Sequence, residues 1–249
     1  MKRSVLVILI ICLLDPLAEA QLWKMRRFEA VAGIGPSLFF GDVGGYSHTK
    51  NILGLRDMSF LQTRFNLNGN MKYRITQDIN VRLSLSYGLL HATDERGSNE
   101  KRGFEATTSV FEPAILGEYY FIKNRAEDSY LFAKGRKYGL IGMFKSLDFY
   151  VFTGIGGLNY NVKTNDKLSG YVTNTGGFTA VFPVGLGATL VYSPDFNFGF
   201  EVGRRYSFSD NLDGYTSQYS SANDVYYFLN FTFTYKLKSR PNNLVSFRR

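Results

Sequence analysis

Residues 225–238 read Val-Tyr-Tyr-Phe-Leu-Asn-Phe-Thr-Phe-Thr-Tyr-Lys-Leu-Lys. From Leu229 onward every second side chain is apolar: Leu229, Phe231, Phe233, Tyr235 and Leu237. Asn230, Thr232, Thr234, Lys236 and Lys238 stand between them. Successive side chains of a strand point to opposite faces, so a strict period of two means one greasy and one polar face. The pattern recurs along the chain, with large aromatics on the greasy side. With 22 Phe, 17 Tyr and 25 Gly against 6 Pro, the composition suits twisted strands joined by tight turns. In an exported protein, many such segments predict a barrel that turns its apolar face to lipid.

The export signal is at the start. Lys2 and Arg3 precede an apolar stretch from Val5 to Leu14, and Ala18-Glu19-Ala20 is a small-x-small cleavage site. Residues 1–20 therefore read as a signal peptide, with a mature chain from Gln21. The stretch is too short to span a bilayer as a helix. Ile11 before Cys12 argues against a lipoprotein signal. Cleavage removes the one cysteine, so disulfides and thiolate metal sites are excluded. No later apolar run reaches the ~20 residues of a membrane helix. The net charge of +8 would suggest nucleic acid in a cytosolic protein. The export signal argues against that reading, and no stacking platform or zinc motif supports it.

Residues 21–249 read as one barrel domain. Eight strands are predicted, at about 28–40, 59–74, 78–90, 105–122, 147–160, 178–193, 196–208 and 224–238. The fold class is therefore all-β, an eight-stranded antiparallel transmembrane barrel of the outer-membrane type. Thr76-Gln77-Asp78 and Ser193-Pro194-Asp195 read as tight turns, whereas 41–58, 91–104, 161–177 and 209–223 read as long loops. Short periplasmic turns and long outer loops are the habit of such barrels, and an even strand number puts both termini in the periplasm. One connection breaks the pattern: the turn 123–146, long and on the short-turn side. It reads either as a hairpin extension or as a docking element.

Charge sorts onto this topology unevenly. Acidic and basic residues of the outer loops roughly cancel. The periplasmic side carries Lys24, Arg26 and Arg27, then Lys123, Arg125, Lys134, Arg136, Lys137 and Lys145 against Glu127 and Asp128, and a basic tail, 239–249, with Arg240, Arg248 and Arg249. A concentrated basic face attracts acidic partners or phospholipid head groups, and it also improves solubility and holds the rim at the interface. Lys123, Arg125, Tyr130, Lys134, Arg136, Lys137 and Leu140 are the candidate contacts for a periplasmic partner.

The face opposite the greasy one points into the barrel. Strand two gives Arg64, Asn66, Asn68, Asn70, Lys72 and Arg74; strand three gives Arg82, Ser84 and Ser86; strand four gives Glu112 and Glu118; strand seven gives Glu201 and Arg205; strand one gives Glu29. Isolated buried charges are costly, so Arg64, Arg82, Glu112, Glu118, Glu201 and Arg205 are expected to pair in a luminal salt-bridge network. An eight-stranded barrel has room inside only for its own side chains, which predicts a plug and not an open pore.

Little else carries chemistry. His48 and His91 fall in predicted outer loops, and His48 with Ser47 and Asp57 could be drawn as an acyl-transfer set, though nothing in the spacing brings them together. Asp210-Asn211-Leu212-Asp213-Gly214 lacks an oxygen ligand at Leu212 and reads as a solvated turn, not a calcium loop. No cofactor, metal or catalytic residue is expected.

Three stretches carry a family resemblance: EAVAGIGPSLFFGDVGG at 29–45, EVGRRYSFSDNLDGY at 201–215, and Asn223-Asp224-Val225-Tyr226 entering the last strand. The chain resembles the PorG-like outer-membrane barrels of Bacteroidetes, associated with the type IX secretion system. Gly41-Asp42 matches the pair that closes the family's first strand. Glu201, Gly203 and Arg205 match its Glu-x-Gly-x-Arg run, and Asp210, Leu212 and Asp213 its Asp-x-Leu-Asp loop. Asn211 departs from the aromatic expected before Leu212. The resemblance implies a non-enzymatic barrel that anchors a periplasmic ring of secretion or gliding machinery, with outer-membrane lipid and a periplasmic protein or lipoprotein as partners. The alternatives are a loop-mediated surface binder, a small channel, or an enzyme modifying outer-leaflet lipid.

Overall fold

The computed structural model describes residues 26–44, 62–95, 101–124, 129–130, 144, 146–172, 174–216 and 223–237. The strands are β1 (Phe28–Phe40), β2 (Arg64–Arg74), β3 (Ile79–Thr93), β4 (Glu105–Ile122), β5 (Leu147–Thr164), β6 (Gly176–Val191), β7 (Phe196–Ser207) and β8 (Val225–Leu237). Each pairs antiparallel with the next, and β1 pairs with β8, so the sheet closes into a barrel. Closure leaves no unpaired edge, which is what a bilayer core demands of a sheet.

The alternation seen in the sequence is realised as outward and inward faces. On β8, Phe231, Phe233 and Tyr235 are exposed while Asn230, Thr232 and Thr234 are buried. Outward aromatics meet across strands: Phe198 lies 5.6 Å from Phe233, and Phe200 lies 5.2 Å from Phe231, between ring centroids. Such cross-strand pairs fix register as well as covering the sheet.

The short connections lie together with both described chain ends. At 75–78, the Thr76 hydroxyl accepts from the amides of Asp78 and Ile79. At 192–195, the Ser193 hydroxyl accepts from the Phe196 amide. This is called the turn end, and the opposite one the loop end.

Toward the loop end the strands depart from the sequence reading. β3 runs on to Thr93 and β5 to Thr164, where 90 and 160 were expected, and β2 begins only at Arg64, not 59. A helical turn, α1 (Asp166–Ser169), stands inside the expected loop 161–177. The cause is an inversion of phase. Near the middle of β5, Val151 and Ile155 face out; near its loop end Asn159, Asn161 and Lys163 face out while Leu158, Tyr160 and Val162 are buried inside. β4 does the same, with Ile115 and Tyr119 outward lower down, and Ala106, Thr108 and Val110 inward near the loop end. The barrel thus continues past the lipid-facing belt as a wall with a polar outside and an apolar inside.

Three prolines sit within strands, and each falls at a break in one ladder. The β1–β8 ladder skips Pro36, the β4–β5 ladder skips Pro113, and the β5–β6 ladder skips Pro183. Proline has no amide hydrogen, so a skipped rung costs the sheet nothing further there.

Candidate functional site

The lumen is filled by two stacked layers. The lower layer is ionic. Arg82 on β3 puts Nη1 2.6 Å from Glu201 Oε1 on β7 and 3.2 Å from Glu118 Oε1 on β4. Lys72 on β2 reaches the same Glu118 oxygen at 2.9 Å. The Tyr150 hydroxyl donates to Glu201 at 2.5 Å, and the Tyr120 hydroxyl to Glu118 at 3.2 Å. A second knot joins Arg205 to Glu112 at 3.6 Å, with the Tyr226 hydroxyl donating to Glu112 at 2.5 Å. Toward the turn end Arg74 pairs with Glu29 at 2.9 Å. Aromatic faces back the cations: Arg82 lies over Phe152 and Arg205 over Phe228. Buried charges persist only when paired and hydrogen-bonded, and here partners from β1, β2, β3, β4, β5, β7 and β8 converge.

Of the six residues expected in this network, Arg82, Glu112, Glu118, Glu201 and Arg205 are brought together in these two knots. Arg64 is not: it opens β2 at the loop end, half-buried, with Nη1 donating to the Thr63 carbonyl at 3.0 Å. Lys72, Tyr120, Tyr150 and Tyr226 are central to the network and were not singled out for it. Lys72 was legible from its inward position, but the tyrosines sit on the inward face and read as ordinary apolar positions.

The upper layer is apolar. Phe39, Leu90, Phe104, Val110, Leu158, Tyr160, Val162, Val181, Leu212, Tyr226 and Phe228 form a buried cluster at the loop end. Connecting segments fold over it. Leu168 of α1 is fully buried in it; the side chain of Asn165 accepts from the Leu168 amide at 3.0 Å and caps the turn. Asp94 accepts from the amides of Gly44 and Phe104 and from Arg102 at 2.7 Å, and Arg102 also donates to the Asp42 carbonyl. Gly44, Gly103 and Gly214 have φ of 80°, 62° and 76°, the left-handed region where glycine is favoured.

The segment 210–214 is part of this cap and corrects the expectation of a solvated turn. Leu212 and Asp213 are buried, and Asp213 accepts from the amides of Val43 and Tyr215 at 3.0 Å. Asp224 accepts from the Leu212 amide at 2.7 Å. The two carboxylates flank Gly41: a β-carbon there would come within 2.7 Å of Asp224 Oδ1 and 2.8 Å of Asp213 Oδ2. Burial pushes the Asp213 carboxyl up to about 7, against the downward pull of its amide donors. Burial and the neighbouring Asp213 push Asp224 well above the usual range. The described parts of these stretches, 29–44, 201–215 and 223–226, therefore meet in space. They contribute Glu201, Arg205 and Tyr226 to the ionic knots, and Asp213 and Asp224 to the carboxyl-clasped cap.

At the turn end, Lys123 is not free for a partner. Its side chain is largely covered, with Nζ 2.9 Å from Asp148 and 4.0 Å from the centre of the Tyr120 ring. It closes the bottom of the lumen because β4 ends next to β5, which carries Asp148. Tyr130 is half-buried, its ring centroid 6.4 Å from that of Tyr192. Arg26 pairs with Asp195 at 3.1 Å, which neutralises part of the basic end. Arg125, Lys134, Arg136, Lys137 and Leu140 lie outside the described residues, as do the signal peptide, most of the turn 123–146, and the tail 239–249.

His91 belongs to β3 and not to a loop. It is buried on the outward side, Nδ1 2.9 Å from the Thr107 hydroxyl and Nε2 3.7 Å from Glu105. Ser47, His48 and Asp57 lie outside the described residues. Among the described residues no group of three or more His, Cys, Asp or Glu is placed to hold a metal ion.

A closed antiparallel cylinder with an apolar belt outside and paired charges inside defines an eight-stranded transmembrane barrel of the outer-membrane type. The chain belongs to the family described as Domain of unknown function (DUF6089), whose model matches residues 2–245. No curated protein matches it. Among solved structures it is similar to Neisserial surface protein A, at 10% identity over 84% of this chain and 96% of that one, with a TM-score of 0.46. It is also similar to a major outer membrane protein of Thermus thermophilus (13% identity, 84% and 98% covered, TM-score 0.43). A third likeness is to the N-terminal barrel domain of Pseudomonas aeruginosa OprF (12% identity, 84% and 98% covered, TM-score 0.42).

Proposed function

We propose that the protein is a non-enzymatic membrane anchor, with the turn end and both termini in the periplasm, that organises a periplasmic assembly of the type IX secretion or gliding machinery. The observation that carries this reading is the filled lumen. An ionic layer and an apolar layer are stacked in one cylinder, and that investment in packing suits a rigid support better than a passage for solute. What such a support offers is its ends. The sequence that joins β4 to β5 carries the basic residues Arg125, Lys134, Arg136 and Lys137, and the sequence after β8 is a basic tail; these favour an acidic periplasmic protein or lipoprotein. Lys123, held by Asp148, contributes to the barrel floor instead. The secretion-system assignment draws on the sequence resemblance to PorG-like barrels.

The test is deletion of residues 126–143. The barrel is expected to fold, shown by heat-modifiable migration, while co-purification of periplasmic proteins from crosslinked cells drops. Equal recovery of the same proteins with and without the segment would remove docking through it. Proteolysis of intact cells tests orientation separately: cleavage confined to the loop end supports it.

A further inference from the structure

Arg204 is the exception on the outward face. β7 presents Phe196, Phe198, Phe200, Val202, Arg204 and Tyr206 outward in succession, and its ladder neighbours there are Val184 on β6 and Tyr227 on β8. Among the described residues, the outward faces of the strands carry other charges only at Glu105 and Lys163, both near the ends of β4 and β5 beyond the apolar belt. A charge facing hydrocarbon is expensive and rare, and it marks a function by default.

Its depth makes it tolerable. At ~3.3 Å per residue and a tilt of ~40°, the step from Phe196 to Arg204 climbs about 20 Å, near the top of a belt about 25 Å tall. The guanidinium stands among the aromatics that mark this border. It lies 4.5 Å from the centre of the Tyr206 ring and 5.6 Å from that of Tyr227, whose ring in turn packs on Phe40 at 5.3 Å. Two rings hold the planar group in place. They do not supply what it lacks: Arg204 has no carboxylate partner among the described residues, and its Nε is buried without a hydrogen-bond acceptor. By contrast the luminal Lys72, Arg74, Arg82 and Arg205 each pair with a carboxylate. This one is pre-oriented, desolvated on one side, and open on the other to the head-group layer.

We propose that Arg204, framed by Tyr206 and Tyr227, seats a phosphate group of a membrane lipid at the loop-end border of the barrel. A guanidinium offers parallel N–H donors that match phosphate oxygens in pairs, and the low dielectric at the border strengthens the contact. The seat requires the membrane-embedded reading above; with the loop end outward, the phosphates within reach are those of the lipid A disaccharide.

The test uses the full mature chain in detergent micelles. Lipid A with both phosphates, the same lipid enzymatically dephosphorylated, and inorganic phosphate are offered in turn, and retained lipid is read by native mass spectrometry. Wild type is expected to retain the phosphorylated lipid on the order of tenfold better than the dephosphorylated one, the scale of a charge-assisted contact. R204Q is expected to abolish that preference, and R204K to keep only part of it. Inorganic phosphate is expected not to displace the lipid. Equal preference in R204Q and wild type would overturn the proposal, and so would full displacement by inorganic phosphate, which would make the seat one for the free ion. Heat-modifiable migration checks that each variant is folded. Because lipid retention is read in micelles, a wrong orientation in the cell would show in the proteolysis experiment and not here.

Discussion

Arg82, Glu118 and Glu201 show how a buried charge is made acceptable and how easily it becomes a liability. Each carboxylate has more than one donor, so removing Arg82 leaves two acids in a closed space facing one cation, Lys72, and the neutral donors Asn80, Tyr120 and Tyr150. Arg82→Met is therefore expected to cost about 3–5 kcal/mol, the scale for an uncompensated buried charge. Adding Glu201→Gln should restore part of the loss, which urea unfolding in micelles monitored by the circular dichroism of the sheet measures as a double-mutant cycle. Asp213 and Asp224 illustrate the opposite case, a pair of acids kept close with Asp42 and Asp210 nearby. The Asp213 carboxyl rises from 3.8 in a free chain to about 7 in the fold. The folded cap thus binds more protons than the unfolded one between those values, and its stability falls as pH rises through that window. Amide protection of Val43 and Tyr215 should decrease from mildly acidic to neutral pH after correction for intrinsic exchange, with Asp224 extending the trend further upward. Asp213→Asn with Asp224→Asn should flatten that dependence.

At the scale of elements, the alternation of Phe231, Phe233 and Tyr235 with Asn230, Thr232 and Thr234 was enough to place β8, and the same signal placed the middle of each strand. It failed where the solvent changes. Beyond the belt, Asn159, Asn161 and Lys163 face water and Leu158, Tyr160 and Val162 face inward, so the period persists but its phase no longer says which side is greasy. A search for the switch of phase, visible in Leu158-Asn159-Tyr160-Asn161-Val162-Lys163, would have extended β5 and exposed the apolar cap. The cap itself depends on contacts distant in sequence, such as Asp213 with Val43, which no local pattern reveals. Inward position identified most of the charged lumen, but pairing depends on barrel register: Arg64 opens its strand at the rim, while Lys123 falls beside Asp148. Helix α1 is held by its cap and by Leu168. Asn165→Ala should cost about 1 kcal/mol locally, read as faster exchange of the Leu168 and Ser169 amides with the strands unaffected.

For the whole molecule, the two lumen layers and the outward belt make one argument. The belt requires lipid outside, and the closed sheet leaves no edge strand unpaired within it. The ionic knots and the apolar cap lie in series along the axis, so a solute would have to disrupt both to pass. On the proposed reading function belongs to the ends and the outer surface: the basic sequence between β4 and β5 for an acidic partner, and Arg204 at the border with the head groups. The measurement that bears most directly on this account is the conductance of the purified protein in planar bilayers near neutral pH. The account predicts a membrane no leakier than protein-free lipid while protein insertion is verified by protease protection. Steady, reproducible unitary currents from the folded wild-type protein would contradict it.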